Sequence, residues 1–160
     1  MRIMKLAHLV APALLIASLS MPAIALDTPG GGGGGGSSDS SNSQRSGPSM
    51  ADARADIAAK HWEDAIAKLK LIIADSSNNA DAYNLLGYAY RNLGDYKRAQ
   101  QAYVRALKID PNHAGALEYQ GVLYVKLGEI DKAKANLEKI KGICGTSCEE
   151  YEDLAKALAG

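Results

Sequence analysis

From residue 50 onward, small and bulky positions recur along the chain with a step of 34. Tyr83, Leu117 and Tyr151 share one phase of that step, and Ala53, Gly87, Gly121 and Ala155 another. Tyr90 maps to Tyr124 and then to Leu158. Lys60 aligns with Gly94 and Gly128, Trp62 with Tyr96 and Ile130, and Ala65 with Ala99 and Ala133. Leu69, Tyr103 and Leu137 form a further set. So many agreements at one step mark a repeat built from two helices. Tiny residues at fixed places let helix backbones approach closely, and bulky ones fill the space between hairpins.

The pattern predicts units over 50–79, 80–113 and 114–147, followed by a single helix over 148–158. Gly87 and Gly121 are expected where the two helices of a hairpin come nearest. Gly94 and Gly128 follow first helices and suit the left-handed conformation that ends them. Pro111 stops a second helix. Tyr151, Leu154, Ala155 and Leu158 continue the first-helix pattern, so the tail is expected to cap the stack with its acids, Glu149, Glu150, Glu152 and Asp153, facing solvent. Thr146 and Ser147, each with Glu three residues later, are candidate capping residues for it.

The stretch from Ala80 to His113, ADAYNLLGYAYRNLGDYKRAQQAYVRALKIDPNH, resembles a tetratricopeptide repeat through Tyr83, Leu86, Gly87, Tyr90, Ala99, Tyr103, Ala106 and Pro111. The following unit departs from the family pattern at Gln120, where Leu is usual, and has Gly145 in place of the closing Pro. In the first unit, Ala53 and Asp56 stand where Gly and Tyr are usual. The resemblance implies an all-α fold, a short α-solenoid of about three hairpins plus a C-terminal capping helix. It also implies a protein or peptide partner on the concave face, lined by first helices. By position, the exposed groove residues would be Asp81, Asn84, Tyr88, Arg91 and Asn92, then Glu118, Tyr119, Val122, Val125 and Lys126, joined by Arg54 and Ile57. Family members that clamp a terminal carboxylate use several Lys, Arg and Asn at these places; Asn84, Arg91 and Lys126 meet that pattern only in part.

The segments before the repeat change where the protein is expected to act. Arg2 and Lys5 precede an apolar stretch that ends at Ala23-Ile24-Ala25, the pattern of an export signal cleaved after Ala25. The expected location is therefore the periplasm, with no membrane association unless that segment is retained. Residues 26–49 read as a Gly/Ser-rich linker that includes the unbroken run Gly30 to Gly36. Such a composition buries too little apolar surface to offset its ordering entropy. No Lys-Ser/Thr pair follows the glycines, so they are not a phosphate loop.

Eighteen basic and 18 acidic side chains leave a formal charge of zero, and loss of Arg2 and Lys5 with the signal would make it −2. No basic cluster appears, which argues against a nucleic-acid partner. The chain has no Phe, one Trp and eight Tyr, so Tyr must supply its large aromatic bodies. Cys144 and Cys148 are the only chemistry-bearing motif. In an oxidising compartment they are expected to form a disulfide. The competing reading is thiol redox or metal handling, but three residues separate them, one more than in thioredoxin-like motifs, and a metal would want a third ligand such as His113. His61 and His113 are expected in turns. Nothing in the sequence suggests catalytic residues or a cofactor, so the expected function is a non-enzymatic interaction module.

Overall fold

The computed structural model describes residues 47–160. The expected export signal and the linker up to residue 46 lie outside them. Seven helices and no strand occur among the described residues: α1 (Met50–Ala58), α2 (Trp62–Asp75), α3 (Ala80–Asn92), α4 (Tyr96–Ile109), α5 (Ala114–Lys126), α6 (Ile130–Cys144) and α7 (Glu149–Ala159). They form three antiparallel hairpins and a last single helix, the all-α solenoid that the 34-residue step predicts. No helix among the described residues is long and apolar enough to cross a membrane.

Local chemistry sets the helix ends. Ser49, the residue before α1, caps it. Its backbone N–H donates to Asp52 Oδ2 at 2.8 Å, and its Oγ accepts from the Asp52 N–H at 3.2 Å, a reciprocal capping box. Asn79 and Asp95 accept from Ala82 N–H and Arg98 N–H at the starts of α3 and α4. First helices end in the left-handed conformation: φ is +80° at Gly94 and +75° at Gly128. Lys60, which shares their phase, adopts φ +60° although it carries a side chain. The α7 start differs from expectation. Neither Thr146 nor Ser147 caps it; Cys148 takes the N-cap position in extended backbone and provides no side-chain hydrogen bond.

The core is divided. One cluster joins the first two hairpins through Ile66, Leu69, Leu86, Tyr90 and Tyr103, threaded by Ala53, Ala82, Ala89, Ala99 and Ala102. A smaller one holds Leu117, Ile140 and Leu154, with Val122, Leu137 and Leu158 packed against it. Each fully buried Leu contributes about 2 kcal/mol relative to exposure. Gly87 works as expected: a Cβ there would lie 2.5 Å from the ring of Tyr103, across its own hairpin. Gly121 does not. Its close neighbour is Leu154 of α7, at 2.5 Å from a Cβ, rather than a residue of α6. The third hairpin opens its small position to the capping helix.

First helices touch one another in series, α1 with α3, α3 with α5 and α5 with α7, whereas α2 and α4, or α4 and α6, do not meet. The stack therefore curves with its first helices on the inner side.

Candidate functional site

Four first helices converge on a cavity of about 370 Å³. Arg54 enters from α1; Asp81, Asn84 and Leu85 from α3; Gly115, Glu118 and Tyr119 from α5; and Glu149, Glu150 and Asp153 from α7. The step of 34 explains why they meet. Asp81, Gly115 and Glu149 share one phase, and Leu85, Tyr119 and Asp153 another. Stacked repeats present equivalent positions side by side, so the groove register continues into the capping helix. Extending the sequence pattern one further step would have found the α7 acids. Glu149, Glu152 and Asp153 are exposed, as expected of a solvated face, and Glu150 is half-buried; Glu149, Glu150 and Asp153 also border the groove.

The rim is fixed by His113. Its Nδ1 accepts from the Ala116 N–H at 3.2 Å, capping α5, which leaves Nε2 to donate to Asp81 Oδ1 at 3.1 Å. A residue expected only to fill a turn thus ties α5 to the start of α3. Beside it lies an aromatic wall. Tyr88 and Tyr119 have ring centroids 4.7 Å apart, with Trp62 6.0 Å from Tyr88. The Arg91 guanidinium sits 5.1 Å from the Tyr88 ring centre and 5.3 Å from that of Tyr119. Its Nη1 donates to the Tyr119 carbonyl at 3.4 Å. Arg91 is therefore held by α5 as well as by its own helix.

Two groove residues expected to be exposed are buried. Asn84 is 6% exposed and Glu118 7% exposed, because α5 and α7 close over positions that would be open on an isolated hairpin. Burial pushes the Glu118 carboxyl up to about 8; Arg91 opposes the shift, and Asp153, Glu150 and Glu149 add to it. Burial also raises the Tyr119 hydroxyl to about 12, helped by Glu118. Val122 and Ile57 are corrections of the same kind: they pack against the C-terminal and N-terminal clusters respectively. Asn92 donates to the Tyr88 carbonyl at 2.9 Å on its own helix. Tyr88, Arg91, Asn92, exposed Lys126 and half-buried Val125 do not border the cavity.

Family models for the tetratricopeptide repeat match residues 80–113 and 102–135. The first spans the α3–α4 hairpin, and the second starts in α4 and runs through α5. The chain carries tetratricopeptide repeats. It is 30% identical over 101 residues to the uncharacterized protein ycf37 of Pyropia yezoensis, covering 58% of this chain and 57% of that one. The crystal structure of MamA superposes with a TM-score of 0.61 at 27% identity, over 69% of this chain and 65% of that one. The second repeat domain of Spaghetti (RPAP3), solved with the HSP90 peptide SRMEEVD, gives a TM-score of 0.54 at 22% identity, over 57% and 84%. At that identity the likeness concerns the fold alone.

Away from the groove, Cys144 and Cys148 are joined in a disulfide with their Cα atoms 6.0 Å apart. It links the last residue of α6 to the residue before α7. The sulfurs and a Glu150 oxygen lie within 4.8 Å of one another, but sulfurs bonded to each other offer no thiolate to a metal.

Proposed function

We propose that this tetratricopeptide-repeat protein is an exported, non-enzymatic adaptor or assembly factor that holds a partner peptide or helix in the groove of its first helices. The convergence of α1, α3, α5 and α7 on one cavity carries the reading. It brings together one aromatic ring, that of Tyr119, and a set of hydrogen-bonding groups, the mixture that fixes a bound segment in place. The Spaghetti repeat domain, alike in fold, was solved with a peptide, and we take the occupant here to be a peptide or helix by that analogy. Residues 1–25 support export to the periplasm, with cleavage after Ala25.

The test uses the mature chain and a periplasmic extract. Tyr119→Ala and Asp81→Arg should weaken capture of the partner, while Leu71→Ser, on the exposed outer side of α2, should not. Changing both Cys144 and Cys148 to Ser should leave capture intact. Loss of function with the cysteines and indifference to Tyr119 would instead favour thiol chemistry. The mature protein should begin at Leu26, as read by mass spectrometry; a retained N-terminus would point to a membrane-anchored scaffold.

A further inference from the structure

The inner groove is strongly one-sided in charge. Asp81, Glu118, Glu149, Glu150 and Asp153 border it against the single cation Arg54. Charge alone would describe any acidic surface, but two further observations point to a missing donor. Asn84 lies on the cavity wall beside Gly115, and its buried Oδ1 has no hydrogen-bond partner among the described residues. Glu118, nearly as buried, forms no ion pair within 4.0 Å among the described residues. Buried acceptors without donors are costly, and Glu118 escapes the larger cost of an unpaired buried charge by holding its proton up to about pH 8, a proton that a cation seated beside it would displace.

The acceptors are also spread out. Among the described residues, the one set of three potential metal-ligating side chains that converges within 4.8 Å is Cys144, Cys148 and Glu150. The groove carboxylates form no such knot, which suits cations spaced along a chain better than a single metal ion. Lys and Arg carry donors and no acceptors. Tyr119, the one aromatic residue bordering the groove, already stacks with a guanidinium, that of Arg91.

We infer that the groove between α3, α5 and α7 receives a protein segment bearing Lys or Arg side chains, one of which reaches the Asn84–Glu118 floor. The inference rests on the peptide-binding reading and adds the chemistry of the occupant. It is the opposite polarity to SRMEEVD, whose two Glu, Asp and free carboxylate would meet like charge on α7.

Titration of the folded mature chain with an amidated Lys/Ala peptide, followed by amide NMR, tests it. Shifts should concentrate on groove residues of α3, α5 and α7. Affinity should fall about tenfold in Glu118→Gln with Asp153→Asn, the loss of one or two charge-assisted contacts. The matched variant Asp131→Asn with Glu138→Gln, on exposed α6 positions, should bind as wild type does. Should the first variant not fold, Glu150→Gln with Asp153→Asn, both on the cap, gives the same readout. Equal binding by all variants, or no shift in the groove, overturns the inference. So does spermidine binding as tightly as the peptide. Groove binding by SRMEEVD overturns it too, yet leaves the peptide-binding reading standing. Shifts from both peptides confined to α2, α4 and α6 overturn both.

Discussion

In the α3–α4 hairpin, Leu86 and Ala102 occupy two buried positions, and Gly87 lies under the ring of Tyr103. One step of 34 later, the α5–α6 hairpin holds Gln120 and Asn136 at the first two positions, equally buried. Asn136 Nδ2 donates to Gln120 Oε1 at 3.1 Å and to the Leu117 carbonyl at 3.0 Å. Gly121 is covered by Leu154 of α7 rather than by its own partner helix. The middle hairpin closes on itself by shape. The last closes by a polar latch, a leucine lent by the cap and a disulfide. The same register can thus be satisfied within a unit or across units, and the cross-unit solution brings α7, with its acids, onto the groove.

The largest contrast should come from the two glycines. Gly87→Ala would drive a methyl to 2.5 and 2.7 Å from ring atoms of Tyr103, which is fully buried and cannot swing away. We expect a loss of about 2–3 kcal/mol in urea denaturation. Gly121→Ala meets only the branched end of Leu154 on a terminal helix and should cost about 1 kcal/mol. Equal losses would break the comparison.

Next is the latch. Asn136→Ala leaves the Gln120 Oε1 acceptor buried without its donor and should cost about 1–3 kcal/mol. The double change Gln120→Leu with Asn136→Ala imports the middle hairpin's pair and should recover most of that loss, because both partners are then apolar. A double variant no better than the single one would mean that the α5–α6 interface cannot accept the middle hairpin's solution.

Removing the disulfide with Cys144→Ser and Cys148→Ser should cost about 2 kcal/mol by the chain-entropy argument for a short loop. Hydrogen exchange should speed up in α7 while the α3–α4 hairpin keeps its protection. The smallest effect belongs to the first hairpin. Lys60 sits at φ +60° where its counterparts are Gly94 and Gly128, so Lys60→Gly should raise stability by about 1 kcal/mol. Gly94→Ala should lower it by a similar amount.

The fold was legible because close packing imposes small residues at a fixed step, whatever surrounds them. The left-handed backbone of Lys60 could have been read the same way, from its phase with two glycines. Neighbours across units were harder to read. A small residue at 121 announces a close approach, but not that Leu154 makes it. Asn84 and Glu118 look like surface residues because they are polar, and only the stacking of α5 and α7 buries them. His113 resembled a turn residue, since nothing local shows that Asp81, 32 positions earlier, lies within 3.1 Å of it. Glu149 and Asp153 are solvated as expected, but their phase with Gly115 and Tyr119 also sets them on the groove, which a reading of the cap as an outer surface passed over. Thr146 and Ser147 fitted a capping pattern, but Cys148, bonded to Cys144, is the last residue before the helix.

The central claim is that the inner, first-helix surface is where this protein meets its partner. A photoreactive amino acid placed at Asp81 or Tyr119, and separately at Leu71 or Lys139 on second helices, tests it directly in the intact cell. Crosslinking of one defined partner from the first pair and not from the second is the predicted result. Crosslinking of that partner from Leu71 or Lys139, with none from Asp81 or Tyr119, would contradict it.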